Sequence, residues 1–417
     1  MVSSKLQATR CSALAAVCGC VWAVACGSGS APVQQDPALN TGGANVGGQV
    51  GAAGALAAGA GAGSSAGGGN SAGQSAGGAS GMSAAGAAGT SGSAGAAGSG
   101  GSAAGSSGAG CVTMGAQADP GTLGDGKSAI PEPYTAAPET LSHLNNAPKG
   151  KVNGVEVGGN YGAPLVYTAK TQYPGLTQML KYEYWIYVPA QYKPGCAAAL
   201  MVWQDGLHFV GIDDAKFNTP TVLDNLIASG DMPVTIALFI NPGEPGDGHY
   251  NGQEYGNRHV QYDKNDDAYA HFLIDEFLPE NVLGKYTITT DADGWGIGGH
   301  SSGGIAAFMV GWYRPEKFHK LLTHDASFPN TGDNNGVSLL GSVDASAMKP
   351  LRVYLMSGPN DLDAPNWYNG NTNAATKLAA KGYHYQYRTE NSTHYPPVAG
   401  VADFANALRW MWRGYEL

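Results

Sequence analysis

The sequence predicts an α/β domain, a mainly parallel central sheet flanked by helices, preceded by an export signal and a low-complexity linker. Three observations predict it. Apolar runs such as ALMVW (199–203) and PVTIALFI (233–240) show no polar alternation, as expected of strands buried on both faces. They take turns along the chain with segments of helical spacing, such as DDAYAHFLIDEFLPENV (266–282). The glycine excess, 64 of 417 residues, falls mostly before residue 111 and leaves ordinary globular sequence over 111–417.

Residues 1–25 read as a signal peptide. Lys5 and Arg10 form a positive start, and CSALAAVCGCVWAVA (11–25) is apolar but too short to span a bilayer. Ala23 and Ala25 suit an ordinary signal peptidase. A cysteine directly after Ala25 also resembles a bacterial lipobox, in which Cys26 is lipidated and becomes the new N-terminus. Two fates are open: a lipid-anchored protein of the outer membrane or cell surface, and a secreted one. Residues 26–110 follow as a linker, nearly all Gly, Ala and Ser from residue 41. About 70 such residues have an r.m.s. reach of roughly 45 Å. With Cys11, Cys18 and Cys20 in the signal and Cys26 at its end, Cys111 and Cys196 remain in the domain. Outside a reducing cytosol two such thiols can pair, and the sequence leaves this pairing open.

Within 111–417 the first seventy residues are rich in Gly, Pro and polar residues, with strand-like pieces such as 151–158. Strands are then expected at 182–188, 199–203, 233–240, 294–299, 319–324, 351–356 and 384–389. Helices are expected at 266–282, capped by Asp266 or Asp267, and near 302–312, 371–382 and 401–412.

Gly299-His300-Ser301-Ser302-Gly303 fits G-x-S-x-G. The pattern alone is weak in a Gly-rich chain. Its setting is stronger: it follows an apolar strand and opens a helix, as a nucleophile elbow does. Glycines two residues either side give clearance for a tight turn, which makes Ser301 the candidate nucleophile. A glycine-rich helix start without chemistry is the plainer alternative. A phosphate loop fails at this stretch, because no Lys-[ST] follows the glycines of 298–304.

A nucleophilic serine needs a base and a group to orient it, expected here in the chain order Ser, acid, His. Asp361, just past Gly358 at a strand end, is the preferred acid; Asp363 is the main rival and Asp325 a weaker one. His394, between the last strand and last helix, is the candidate base; His300 flanks the nucleophile and is expected to point elsewhere, and His319 and His324 are read as structural. Two backbone N–H groups should receive the oxyanion. Ser302 is one candidate donor, and Gly206 or Leu207, after the strand VWQ (202–204), the other. His208, Arg258, Trp367 and Tyr368 are candidate substrate contacts, with Trp203 either a stacking surface or core.

Residues 111–417 carry a net charge of −11, which argues against nucleic acid as a partner. No H-E-x-x-H or paired C-x-x-C occurs. Asp263, Asn265 and Asp267 imitate the start of an EF-hand loop, but Ala268 and Ile274 stand at its sixth and twelfth positions. No metal or cofactor is expected.

VWQDG (202–206), DNLIASGDMPVTIALFINPG (224–243), NRHVQYD (257–263), GHSSGGIAAF (299–308), SGPNDLD (357–363) and LRWMWR (408–413) resemble an esterase family. That family groups enterochelin-esterase-like and esterase D-like hydrolases and is related to family-one carbohydrate esterases. The resemblance runs over roughly 180–415. It implies an α/β-hydrolase fold and Ser301, Asp361 and His394 as a triad. The chain departs from the family at Gln261, where an acid is usual, and at Asn391-Ser392-Thr393, where Gly is usual before the base. The expectation is an exported serine esterase acting on small-molecule or polysaccharide-linked esters, acyl or feruloyl among them. A siderophore-ester hydrolase and a non-catalytic binding module on a hydrolase scaffold are the alternatives.

Overall fold

A sheet buried on both faces needs two layers of helix, and the chain supplies them on either side of one long sheet. The computed structural model describes residues 110–111, 119, 121–213, 215–250, 257–331, 338–362 and 365–417. The expected signal, Cys26 and nearly all of the linker lie outside the described residues, and so does Asp363.

The strands are β1 (Gly126–Ala129), β2 (Lys151–Val152), β3 (Val155–Glu156), β4 (Leu165–Thr168), β5 (Lys181–Val188), β6 (Ala199–Gln204), β7 (Thr235–Ile240), β8 (Trp295–His300), β9 (Lys320–His324), β10 (Arg352–Ser357) and β11 (His384–Thr389). Their order across the sheet is β1-β11-β10-β9-β8-β6-β7-β5-β2-β3, with β4 also on β5. From β1 to β7 every neighbour is parallel. Antiparallel pairing begins at β5. β6 and β7 are buried at every residue, which explains their unbroken apolar composition.

The helices are α1 (Pro138–Leu141), α2 (Gly206–Val210), α3 (Thr219–Ser229), α4 (Asn257–Tyr262), α5 (Ala268–His271), α6 (Ser302–Tyr313), α7 (Leu339–Ala345), α8 (Asn366–Lys381) and α9 (Val398–Trp412). α6 packs on β8 and β9, α8 on β10 and β11, and α9 on β9 and β10. None of these helices is long and apolar enough to cross a membrane.

The expected strands from 182 onward are all present, within two residues of their predicted ends. Three local readings are corrected. The piece at 151–158 is a hairpin, β2 to β3, turning at Asn153 (φ 48°) and Gly154 (φ 86°). That is the Asn-Gly turn whose twist matches the strands. α3 adds a helix to those expected: Val222, Leu223, Leu226 and Ile227 recur in it at helical spacing, and every residue from Thr219 to Ile227 is buried. The helix at 266–282 is α only over α5. It continues through Leu283 with wider π-type turns. Pro279 has no N–H to donate, and ahead of it Leu278 N–H reaches back five residues to the Leu273 carbonyl.

The thiols of Cys111 and Cys196 are joined in a disulfide, with 5.6 Å between their Cα atoms.

The sheet order places the site. From β6 the chain runs outward to β7, then returns to β8 on the other side of β6 and continues outward the opposite way. The crevice at the carboxyl ends of β6 and β8 is therefore the topological switch point, where parallel α/β sheets hold ligands. Trp203 of β6 stands in register with Gly298 of β8. Three residues beyond each lie Gly206 and Ser301.

Candidate active site

Ser301 joins β8 to α6 with φ 61° and ψ −130°, a combination that costs energy for any residue with a Cβ. The surroundings fix it. Ser301 N–H donates to the His324 carbonyl at 2.8 Å, and the Ser301 carbonyl accepts from Gly304 N–H at 2.9 Å. A Cβ on Gly299 would stand 2.3 Å from the Gly303 carbonyl oxygen, and one on Gly303 would stand 2.4 Å from Asp205 Oδ2. The two glycines therefore clear the turn from below and from the side, as their spacing suggested.

His394 follows β11 and reaches back over the elbow. Its ring centroid lies 4.4 Å from that of His300, the residue before Ser301. Its Nδ1 is 2.5 Å from Asp361 Oδ1, and the same oxygen accepts from Leu362 N–H at 2.7 Å. Asp361 is thus the acid that meets the base. Asp325 lies instead 3.6 Å from His300 Nε2. Asp361 and Ser301 are each 5% exposed. Ser301 Oγ makes no hydrogen bond among the described residues, and apo sites often tighten that contact only with substrate.

Ser302 and Gly206 are the first residues of α6 and α2, so neither N–H has an intrahelical acceptor. Both open helices at the switch point, where the helix dipoles favour negative charge. Leu207 is corrected: its N–H donates to Asn241 Oδ1 at 2.9 Å and is already engaged.

The expected substrate contacts separate into two groups. His208 stands at the rim, paired with Asp213, its ring 5.9 Å from that of Tyr395. Tyr368 is half-buried on the β1 side, its ring centroid 6.0 Å from Lys127 Nζ. The rest are corrected. Arg258 is buried and clamps Asp205 through two bonds, Nε to Oδ1 at 2.8 Å and Nη2 to Oδ2 at 2.7 Å. It thereby holds the carboxylate against which Gly303 packs. Trp367 is buried with its ring edge-on to His394 at 5.2 Å, so it braces the base rather than offering an open face. Trp203 is fully buried and stacked on Phe209, a core residue.

Several further participants are not legible in their roles from the sequence. Asp205 has φ 51° and is fully buried, visible beforehand only as an Asp-Gly at a strand end. His300 is buried, and desolvation with the neighbouring imidazoles of His394, His208 and His324 holds it well below its ordinary pKa, hence neutral. Burial, with Asp361 and Glu390 alongside, pushes the Asp325 carboxyl well above the usual range. Glu390 is raised by burial too, with bonds from Ser392 opposing. His300, Asp325 and His394 also bring one potential metal-ligand atom each within 4.8 Å of one another. Of the EF-hand-like residues, Asp263 accepts from Ser327 Oγ at 2.5 Å and Asn265 Oδ1 from Tyr313 at 2.8 Å, so both face protein partners.

Beside the base, Tyr395 and Pro396 form one wall of a cavity of about 690 Å³. Tyr134, Leu141 and Val398 supply apolar surface, and Lys216 a cation. Thr140, 4% exposed, also lines it, with its Oγ1 lacking a hydrogen-bond partner.

No curated protein matches the chain in sequence. Among solved structures, the enterobactin esterase of Shigella flexneri determined with enterobactin is 17% identical at a TM-score of 0.47, over 60% of this chain and 58% of that one. The ferric enterobactin esterase of Salmonella typhimurium is 17% identical at 0.46, over 61% and 59%. A family-one ferulic acid esterase of the anaerobic fungus Anaeromyces mucronatus is 13% identical at 0.49, over 67% and 97%. The chain thus spans under two thirds of the length of the enterobactin esterases. The family described as "Putative esterase" matches residues 180–410, more than half of the chain and the whole run from β5 into α9. The chain belongs to this esterase family.

Proposed function

We propose that the protein is an exported serine esterase that hydrolyses carboxylic esters through an acyl-enzyme. The observation that carries this is the 2.5 Å contact of His394 Nδ1 with Asp361 Oδ1, set over the strained Ser301 turn. In this reading Ser301 Oγ attacks the ester carbonyl carbon. His394 Nε2 takes the hydroxyl proton and returns it to the leaving alkoxide. Asp361 holds the imidazole with its proton on Nδ1. The N–H groups of Ser302 and Gly206 receive the oxyanion, and water, deprotonated by the same His394, then frees the acid. Neutral His300 adds no charge beside the base. Membership of the esterase family supports the reaction class.

The cavity beside Tyr395 favours an ester with an apolar or aromatic portion, such as an acyl or feruloyl group on a polysaccharide. Catecholate siderophore esters are the second reading, and the printed name of the Shigella flexneri relative favours it. The export signal and Cys26 lipidation belong to the proposal through the sequence alone.

The test is hydrolysis of p-nitrophenyl acetate by the full chain, with fluorophosphonate labelling and peptide mapping. Wild type should turn over and carry the label on Ser301; Ser301→Ala should do neither. Unchanged turnover in the variant ends the proposal. A panel of feruloyl, acetyl-xylan and catecholate triester substrates separates the two substrate classes.

A further inference from the structure

Behind His394 the hydrogen-bond accounting does not close with ionised carboxylates. Asp361 Oδ1 has two donors, His394 Nδ1 and Leu362 N–H. Its other oxygen, Oδ2, is buried with no donor from an N–H or hydroxyl among the described residues. Asp325, 3% exposed, has the same defect at Oδ1. Its Oδ2 lies 3.6 Å from His300 Nε2, too long for a hydrogen bond, and that nitrogen is itself buried without a partner. The Asp361 carboxyl faces Asp325 closely enough for one hydrogen bond between the two once either carries a proton. Backbone geometry holds them there. Asp325 sits in the left-handed region at φ 46°, and its N–H donates to the Met356 carbonyl at 2.8 Å, at the end of the strand whose loop bears Asp361.

Two buried carboxylates in contact do not both ionise; one proton between them satisfies both orphaned oxygens at once. We propose that Asp325 is a positioning residue, a carboxylic acid that keeps its proton at neutral pH and donates it to Asp361 Oδ2, fixing the acid behind the base. The inference rests on the triad reading above. Asp361 keeps the charge, because it alone faces the His394 N–H. The donated bond fixes Asp361 Oδ1 toward His394 Nδ1, so the imidazole keeps its proton there and its Nε2 faces the serine proton. The groups facing Asp325 are Asp361 and Glu390 as acids, His300, His324 and His394 as imidazoles, and the Tyr354 and Tyr387 phenols. No lysine or arginine stands among these groups, so none of them compensates a second negative charge. Above the pH at which Asp325 ionises, its proton leaves to solvent, Asp361 Oδ2 loses its donor and two like charges repel behind the base, so the positioning is lost and kcat falls on the alkaline side.

Full chain, Asp325→Asn and Asp325→Ala are compared by pH profile and by infrared difference spectroscopy. The wild type should show the carbonyl stretch of a buried carboxylic acid at pH 7 that Asp325→Asn lacks. Asp325→Asn keeps a donor that does not ionise; it should retain most of kcat and lose the alkaline fall. Asp325→Ala leaves Asp361 Oδ2 without its donor and should lower kcat by on the order of tenfold, with KM unchanged. Absence of the acid band from wild type overturns the proposal with no variant needed, and so does a kcat of Asp325→Ala equal to wild type. If Ser301 takes no fluorophosphonate label, the triad reading fails separately, and the infrared band still decides the protonation of Asp325.

Discussion

His324 offers a sharp test of the electrostatics beneath the elbow. It ends β9 in the core, ringed by Phe217, Phe404 and Tyr354, with neither ring nitrogen hydrogen-bonded. Desolvation with no compensating partner pushes its pKa down to about 3. In the unfolded chain an imidazole protonates near pH 6.5. Between those values the unfolded state binds more protons than the folded one, so stability must fall as pH drops through this window. The slope approaches about 1.4 kcal/mol per pH unit, and from pH 7 to 4.5 the loss from this one group is about 2.5 kcal/mol. The perturbation is His324→Phe, which cannot protonate. Overpacking against Gly400 will shift its absolute stability by about 1–3 kcal/mol, but equally at both pH values. His300 contributes in the same direction, and Asp325 and Glu390, whose folded pKa values are raised, in the opposite one. Those contributions are common to both proteins and cancel in the comparison. Urea denaturation followed by tryptophan fluorescence at pH 7 and 4.5 should therefore show wild type losing about 2.5 kcal/mol more than the variant. Equal losses would refute the reasoning, because His324 would then be taking up its proton in the folded state.

Removing one side of the Asp205–Arg258 pair strands a buried charge: Arg258→Ala should cost about 3–5 kcal/mol in denaturant titration. The double variant Asp205→Asn/Arg258→Met should recover much of that loss, and no recovery would show that packing rather than charge sets the cost. The Cys111–Cys196 bridge closes a loop with a separation of 85 residues, for which chain entropy gives about 4–5 kcal/mol. Calorimetry of Cys196→Ser should show a loss of about 2–5 kcal/mol, and an unchanged melting temperature removes the bridge from the stabilising set.

What the sequence made legible follows from where the physical signal is local. The parallel strands β6 and β7 declared themselves because burial on both faces leaves almost only apolar residues. Ser301 was visible because a tight strand–helix turn demands small neighbours at 299 and 303, and Asp361 and His394 because chain order and strand ends narrow the choices. What stayed hidden depends on contacts between distant segments. Arg258 and Asp205 lie 53 residues apart, and each alone reads as an ordinary polar residue. Trp367 reads in the sequence as a substrate contact because composition does not say which face of a ring is covered. Asp325 was weighed as a rival acid, and its position beside Asp361 depends on the register of β9 with β10. Leu207 N–H could be discounted only once Asn241, 34 residues on, was seen to take it.

The disulfide also decides how the domain bears load. A pull on the chain ahead of Cys111 passes through the sulfur bridge into the turn at Cys196, just before β6 in the middle of the sheet. The edge strand β1 and everything else between the two cysteines sit inside a covalent loop and carry none of that force. With about 3.4 Å per extended residue, the bridge withholds roughly 290 Å of contour length from mechanical unfolding. A force-extension trace recorded under reducing conditions should lengthen by that amount.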